Sequence, residues 1–292
     1  MDVHLLDGTY ELFRYFFALP SHVNQEGREV GATRGVLGTV LSMLEGGATH
    51  IGIATDHVVE SFRNGLWPGY KTSAGMDPRI LQQFPLVEEG LSAMGLVVWP
   101  MVELEADDAL AAAALQAAAA PEVQRVFICS PDKDLAQCVR ADRVVQLERR
   151  TGRVFDTAGV VAKFGVPPSS IPDYLALVGD SADGYPGLPG WGARSAATIL
   201  QRFGLIEAIP TDAASWEVSL RGATTLAQTL RDQRQSALLF KDLATLRTAE
   251  PVIASPDQLR WRHPRDGFAA FCHRLDAPLL LQRAQLLAKA RA

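Results

Sequence analysis

Glu105-Ala106-Asp107-Asp108 sets three carboxylates within four residues, directly ahead of an alanine-rich run that begins at Ala109. Between Ala109 and Ala120 only Leu110, Leu115 and Gln116 interrupt the alanines. Alanine is the strongest helix former, so the four residues stand at or just inside a helix N-terminus. Capping accounts for one Asp at the N-cap and for a second acid favoured by the helix dipole. A third acid so close repels the others unless a cation sits among them. Taken alone, the stretch supports either capping or metal binding.

Outward from this stretch the same pattern recurs. Val97–Met101 reads as a strand leading toward Glu105, while Val3-His4-Leu5-Leu6 reads as a strand ending in Asp7-Gly8-Thr9, with a helix from Tyr10 to Phe17. Thr33–Leu44 has helical apolar spacing, and His50–Ala54 is a strand running into Thr55-Asp56. Gln124–Cys129 is another, followed by Ser130-Pro131-Asp132-Lys133-Asp134, with helical character from Leu135 onward. Each acid has an ordinary reading by itself: Asp7 beside Gly8 suits a turn, and Asp132 or Asp134 suits an N-cap. Strands alternating with helices, however, imply a mostly parallel sheet whose carboxyl ends share one edge, where open α/β folds place ligand groups. Acids scattered in sequence then converge, and a metal site becomes the better account of them jointly. Oxygen ligands with no nearby Cys or His suit Mg²⁺ or Mn²⁺ rather than zinc.

The 292 residues, 48% hydrophobic and 21% charged, suit one large domain or two modest ones. No uncharged apolar run approaches membrane-spanning length, and Met1-Asp2-Val3-His4 lacks the basic start of a secretory signal, so a cytoplasmic protein with no membrane partner is expected. Cys129, Cys138 and Cys272 form no CxxC pair and are odd in number, so neither a disulfide framework nor a zinc cluster is suggested and buried free thiols are expected. The net charge of −5 argues mildly against a nucleic-acid partner, but acids gathered at one metal site lower the total while bases elsewhere still meet phosphates.

Past a strand pair around Val144–Phe155 the pattern changes to helices. Ser169–Gly179 reads as a helix, Asp180-Ser181-Ala182-Asp183 adds two acids, Gly184–Gly192 is glycine-rich, and Ala193–Phe203 is a second helix. Such a loop is either a tight helical hairpin or a phosphate cradle of backbone N–H groups with Arg194 adding charge. Arg79–Met94, Thr224–Leu246, Asp266–Leu275 and Pro278–Ala288 also read as helical.

Leu6-Asp7-Gly8, Thr55-Asp56, Ser61-Phe62-Arg63, Tyr70-Lys71, Glu105-Ala106-Asp107-Asp108, Pro131-Asp132-Lys133-Asp134, Gly179-Asp180-Ser181-Ala182-Asp183 and Pro186–Ala196 occur in order. With them the chain resembles the bacterial 5′→3′ exonucleases of the 5′-nuclease (flap endonuclease) superfamily, similar to the nuclease fused ahead of DNA polymerase I but in a stand-alone form. The resemblance implies an α/β fold: a PIN-like, mostly parallel sheet flanked by helices over residues 1–160, with an arch at about 72–95. A helical region over 161–292 would hold a helix-three-turn-helix (H3TH) and the C-terminal helices.

The resemblance further implies two divalent ions, Mg²⁺ or Mn²⁺. Asp7, Asp56, Glu105 and Asp107 would surround the first, Asp132, Asp134 and Asp183 the second, with Asp108 and Asp180 completing the pocket. Asp7, Asp134 and Lys71 carry the catalytic roles, Lys71 supplying positive charge as the phosphorane-like state forms. Arg14, Arg63, Tyr70 and Lys71 match substrate-contacting positions, and Gly187, Gly190, Gly192 and Arg194 the duplex-binding loop. That loop would bind K⁺ through the carbonyls of Leu177, Val178, Pro186, Leu188 and Trp191. Implied partners are DNA at a 5′ flap, nick, gap or duplex end, and a DNA polymerase acting on the same intermediates in replication and repair, with the nuclease a monomer. Three departures stand out: Thr55 where phenylalanine is usual, Gly184 where Asn or Lys is common, and an arch whose basic charge is reduced to Arg79.

Two other enzyme readings fail on residues. A phosphatase of the haloacid-dehalogenase type needs an Asp two before Asp7, where Leu5 stands. A P-loop needs Lys then Ser or Thr after Gly192, where Ala193-Arg194 stands. A catalytically silent DNA-binding protein gains nothing from clustered acids facing phosphates, and a PIN ribonuclease fits the first half but not the helix-three-turn-helix.

Overall fold

The computed structural model describes residues 1–291. In chain order the elements are β1 (Asp2–Asp7), α1 (Gly8–Ala18), α2 (Gly31–Glu45), β2 (His50–Asp56), α3 (Phe62–Leu66), α4 (Pro78–Leu81), α5 (Gln83–Ala93), β3 (Val97–Met101), α6 (Ala106–Ala119) and β4 (Arg125–Cys129). There follow β5 (Val144–Glu148), β6 (Arg153–Phe155), α7 (Thr157–Phe164), α8 (Ile171–Val178), α9 (Ala193–Phe203), α10 (Ala223–Asp232), α11 (Arg234–Ala244), α12 (Phe268–Arg274) and α13 (Pro278–Arg291). Packing divides the chain into two compact units. The first comprises Met1–Val59, Ser73–Ser130 and the described chain from Thr248 onward; the second comprises Glu60–Thr72 and Pro131–Arg247.

In the first unit β1 lies between β2 and β4, and β3 borders β2, all parallel. The register sets Asp7 opposite Ala54 and Asp56 opposite Met101, which brings the strand-end acids to the carboxyl edge. Val3, Leu5, Leu6, Ile51, Ile53, Val126 and Ile128 are fully buried, as expected for parallel strands covered on both faces. The alanine helix α6 is buried nearly all round, from Ala109 to Ala114, because side chains that small let a helix approach the strands closely.

The compact units are not contiguous in sequence. Helices α12 and α13 belong to the first unit, where Phe271 lies against Gly90 of α5 and Arg283 reaches Glu45 and Ser42 of α2. Within residues 72–95, Gln83, Phe84, Val87 and Leu91 are buried, so α5 is a packed helix. The single helix expected over Arg79–Met94 is two. Pro85 has no N–H, and its ring clashes with the carbonyl four residues back at Leu81, so the helix restarts at Gln83.

The second unit pairs β5 with β6 antiparallel and packs its helices around Leu175, Leu177, Trp191, Trp216 and Phe240. Thr224–Leu246 is likewise two helices, broken at Gln233. The helix expected from Leu135 is one short 3₁₀ turn, Asp134–Cys138.

Candidate active site

The acids form two sets, one in each unit. In the first unit Asp7 ends β1 and caps α1, accepting the Tyr10 N–H at 2.8 Å, while its other oxygen accepts the Ser130 hydroxyl at 2.8 Å. Asp56 ends β2 and accepts the Ala106 N–H at 2.7 Å, so the second strand caps the alanine helix. Within that helix start, Asp108 is fully buried and accepts the Glu105 N–H at 2.9 Å. Capping is therefore present at Glu105–Asp108. Glu105 is buried and Asp107 partly exposed.

The second unit holds the tighter cluster. Asp134, Asp180 and Asp183 each offer an oxygen within 4.8 Å of the other two, the one such group among the described residues. Asp134 is placed by the turn after β4: its N–H donates to Asp132 Oδ1 at 2.9 Å, and buried Gln146 of β5 donates to the Asp132 carbonyl. Asp180 is placed by its backbone exchange with Tyr185, and its Oδ1 accepts the Ala182 N–H at 3.0 Å. Two lysines meet these acids. Lys71 Nζ lies 3.2 Å from Asp183 Oδ1, and Lys133 Nζ lies 2.8 Å from Asp180 Oδ2.

Burial pushes the Asp134 carboxyl well above the usual range, and the negative charges of Asp132, Asp183 and Asp180 push it the same way, with Lys71 opposing. Burial alone would lower the Lys133 ammonium, but its bond to Asp180 and the negative charges of Asp180, Asp134 and Asp132 together outweigh that and raise it. Tyr185 is buried, its hydroxyl has no hydrogen-bond partner, and burial followed by the same acids drives its proton affinity up.

Asp134 Oδ1 is buried without a partner among the described residues, beside further carboxylates that two ammonium groups attend. That environment fits a hard divalent cation, which would satisfy the orphaned oxygen and remove the repulsion. The oxygen-only donor set suits such an ion better than a soft one.

Close backbone packing defines the glycine-rich loop. Gly187 has φ +69°, and a Cβ there would lie 2.4–2.6 Å from Gly179 N, Val178 C and Leu177 O, so residues 177–179 and 186–188 touch main chain to main chain. This brings together the carbonyls of Leu177, Val178, Pro186 and Leu188; those of Leu177 and Leu188 each accept an N–H, from Leu188 and Trp191 respectively. The Trp191 indole is buried and donates to Leu226 O at 3.3 Å. Gly190, Gly192 and exposed Arg194 line a hollow of about 910 Å³ with Ser195, Arg221 and Gly222, at the N-termini of α9 and α10. Sequence reasoning had no signal for Arg221.

Two of the residues matched to DNA contacts are buried in this structure. Arg63 is 1% exposed; its Nε donates to Leu243 O at 2.8 Å and an Nη to Thr245 O at 3.2 Å, closing the C-terminus of α11. Tyr70, 3% exposed, is part of the second unit's core. Arg14 is partly exposed, bonded to Glu11 and stacked 4.2 Å over the Tyr15 ring. Lys133, Gln146 and Tyr185 were missed. For Lys133 the signal was available, since it stands between two site acids.

The departure at Thr55 also has a structural account. Its buried hydroxyl donates to Glu88 Oε1 at 2.7 Å, and Glu88 Oε2 meets His57 Nδ1 at 2.7 Å. A phenylalanine there would leave one oxygen of that buried carboxylate without its donor.

The family model for the 5′-3′ exonuclease N-terminal resolvase-like domain matches residues 2–165, and that for the 5′-3′ exonuclease C-terminal SAM fold matches residues 166–267. The chain belongs to the 5′-3′ exonuclease family. It is similar to the 5′-3′ exonuclease of Aquifex aeolicus, 31% identical over 90% of this chain and 87% of that one. It is also similar to DNA polymerase I of Pseudomonas aeruginosa, 32% identical over 93% of this chain and 30% of the polymerase. The chain thus spans about a third of the length of the polymerase relatives it matches. Among solved structures the exonuclease fold is shared by the zinc-bound T5 5′-exonuclease (TM-score 0.67, 16% identity, 100% of both chains covered). It is shared too by the catalytic core of Rad2 in complex with DNA substrate (TM-score 0.64, 15% identity, 99% and 92% covered). No helix among the described residues is long and apolar enough to cross a membrane.

Proposed function

We propose that this 5′-3′ exonuclease family member is a divalent-metal-dependent 5′→3′ exonuclease and 5′-flap endonuclease that hydrolyses DNA phosphodiesters. The observation that carries the reading is Asp134: a buried carboxylate with an orphaned oxygen, set against Asp180 and Asp183 and attended by two lysines. A purely structural turn has no use for so costly a cluster.

In this reading Asp132, Asp134 and Asp183 hold one Mg²⁺ or Mn²⁺, and Asp7, Asp56, Glu105 and Asp107 another, with Asp108 and Asp180 supporting them. When bound, the two ions supply a hydroxide nucleophile and neutralise the leaving oxygen. The chain's own contribution is placement and charge. Capping bonds and strand ends fix Asp7, Asp56 and Asp108, so the carboxylates do not have to be ordered on binding. Lys71 is tethered beside Asp183 and becomes free to meet a phosphate once that carboxylate is otherwise neutralised.

Gly187, Gly190, Gly192 and Arg194 would take the duplex backbone at the N-terminus of α9, helped by Arg221. The carbonyls of Leu177, Val178, Pro186, Leu188 and Trp191 would hold K⁺. The DNA complexes of Rad2 relatives and the polymerase relatives support DNA as substrate and a polymerase as partner on the same intermediates.

The test is cleavage of end-labelled 5′-flap, nicked and single-stranded DNA with Mg²⁺ or Mn²⁺, comparing wild type with Asp134→Ala. Metal-dependent release of 5′ fragments, lost in the variant while DNA binding in Ca²⁺ persists, supports the reading. Cleavage unchanged by the substitution, or faster cutting of RNA flaps of the same sequence, would overturn it.

A further inference from the structure

A basic hollow lies in the first unit at the edge of the sheet opposite the acids. It opens beside Thr49, the residue ahead of β2, and encloses about 640 Å³ walled by Arg260, Trp261, Arg262, His263, Lys289 and Arg291. Trp261 is the fixed part. Buried, it donates its backbone N–H to Thr49 O at 2.8 Å and its indole N–H to Met94 O at 2.9 Å, and the Arg291 guanidinium lies 5.4 Å from its ring centre.

Four of the eight lining residues are Arg or Lys, and among the described residues one of the four forms an ion pair, Arg262 with Asp257 at 3.2 Å. The side chains of Arg260 and Lys289 make no hydrogen bond or ion pair among the described residues. Arg291 spends one Nη on the carbonyls of Leu44 and Ala48, and its other Nη is buried without a partner. Cations gathered this way repel each other, and a buried N–H with no acceptor carries its full desolvation cost. An anion relieves both. The β2 strand is seven residues long, so this hollow stands ~20 Å from the acid edge of the same sheet.

We propose that the hollow is a binding site for a compact phosphate-bearing anion, a nucleoside monophosphate or pyrophosphate, held by Arg260, Lys289 and the unpartnered Nη of Arg291. Guanidinium forks match phosphate oxygens in geometry, and the volume falls in the range of small-molecule sites rather than of a strand-tracking groove. Arg262, half-engaged by Asp257, closes the rim. The assignment does not depend on the nuclease reading, because none of these residues belongs to the acid sets.

The test is calorimetric titration of the full chain with thymidine 5′-monophosphate, with pyrophosphate and with a short oligothymidylate. EDTA is present throughout, so that the acid clusters repel anions instead of binding them through metal. Saturable binding of the monophosphate or pyrophosphate is expected. Arg260→Ala/Lys289→Ala should weaken it more than about tenfold, and Arg260→Lys/Lys289→Arg should restore it. Tighter monophosphate binding would assign a nucleotide site, and tighter pyrophosphate binding a phosphate-only site. Lys289→Ala alone gives the same direction should the double variant lose its fold. Binding of neither small anion, equal binding by wild type and the alanine variants, or binding of the oligothymidylate alone would overturn the proposal. None of these results bears on cleavage, which is read separately.

Discussion

Lys71 Nζ lies 3.2 Å from Asp183 Oδ1, and the same two residues are joined through the main chain, the Lys71 N–H donating to Asp183 O at 3.0 Å. The charge is thus anchored twice to the acid it accompanies. Lys133 has one such anchor, its 2.8 Å contact with Asp180. The two lysines should therefore behave differently. Lys71→Ala should lower kcat on a flap substrate by about 10²-fold or more with KM little changed, as for loss of a transition-state donor. Lys133→Ala should instead tighten Mn²⁺ binding severalfold in calorimetry, because it removes a cation that competes for Asp180.

Asp134 is held neutral by its surroundings more readily than an exposed carboxyl. Its raised proton affinity means that the ionised form costs stability above the folded-state pKa, and that this cost disappears as pH falls through it. Asp134→Asn should stabilise the metal-free protein at neutral pH by about 1 kcal/mol, a Tm rise of roughly 2–4 °C, with the gain shrinking in acid. The same variant should lose the Mn²⁺-dependent Tm rise of wild type. A metal-free Tm below wild type would show that the attraction of Lys71 outweighs burial and repulsion at Asp134.

Gly184 sits at φ +84°, and a Cβ there would lie 2.0 Å from the Gly69 carbonyl oxygen. The tight approach links the Asp183 loop to the segment that carries Lys71. Gly184→Asn should cost about 1–3 kcal/mol in urea unfolding and lower activity by displacing Lys71. Unaltered stability would mean that the Gly69 carbonyl can move at little cost.

Arg63 separates structure from substrate binding. It is buried and donates to two carbonyls at the end of α11, so Arg63→Met should destabilise by about 2–3 kcal/mol, leaving those acceptors unpaired. Well below its Tm, the variant should bind flap DNA in Ca²⁺ with wild-type affinity. A tenfold loss of affinity without loss of stability would restore the substrate-contacting role.

Arg283 holds Glu45 through Nε at 3.0 Å, and this bond keeps the Glu45 carboxyl below its usual range. A lowered folded pKa means stability that is present above the unfolded value, roughly pH 4, and lost as pH falls through the folded one. The pair is partly exposed, so its contribution is about 0.5 kcal/mol. Arg283→Met should be less stable than wild type at pH 7 by about that amount, and the difference should close below roughly pH 4 in urea titrations. A gap that persists in acid would assign the loss to packing of the arginine stem.

Local periodicity and composition carry much of this protein. Residues 97–101 and 193–203 could be bounded from sequence as a strand and a helix because apolar spacing and flanking glycines act over a few residues. The alternation of strands and helices fixed where Asp7 and Asp56 must go, since parallel strands in register present their carboxyl ends at one edge. Helix breaks were harder. Pro85 carries a local signal for the restart at Gln83, whereas nothing at Gln233 announces the break between α10 and α11. What sequence determined was therefore the strand-end acids, the acid-rich start of α6 and the glycine loop. Tertiary packing decided the rest: that α12 and α13 return to the first unit, that Arg63 and Tyr70 turn inward, that Lys133 joins the acids and that four distant cations line one hollow. The reason is physical. Burial and charge pairing depend on which segments meet, and residues 63 and 243, or 49 and 289, meet only when the whole chain is folded.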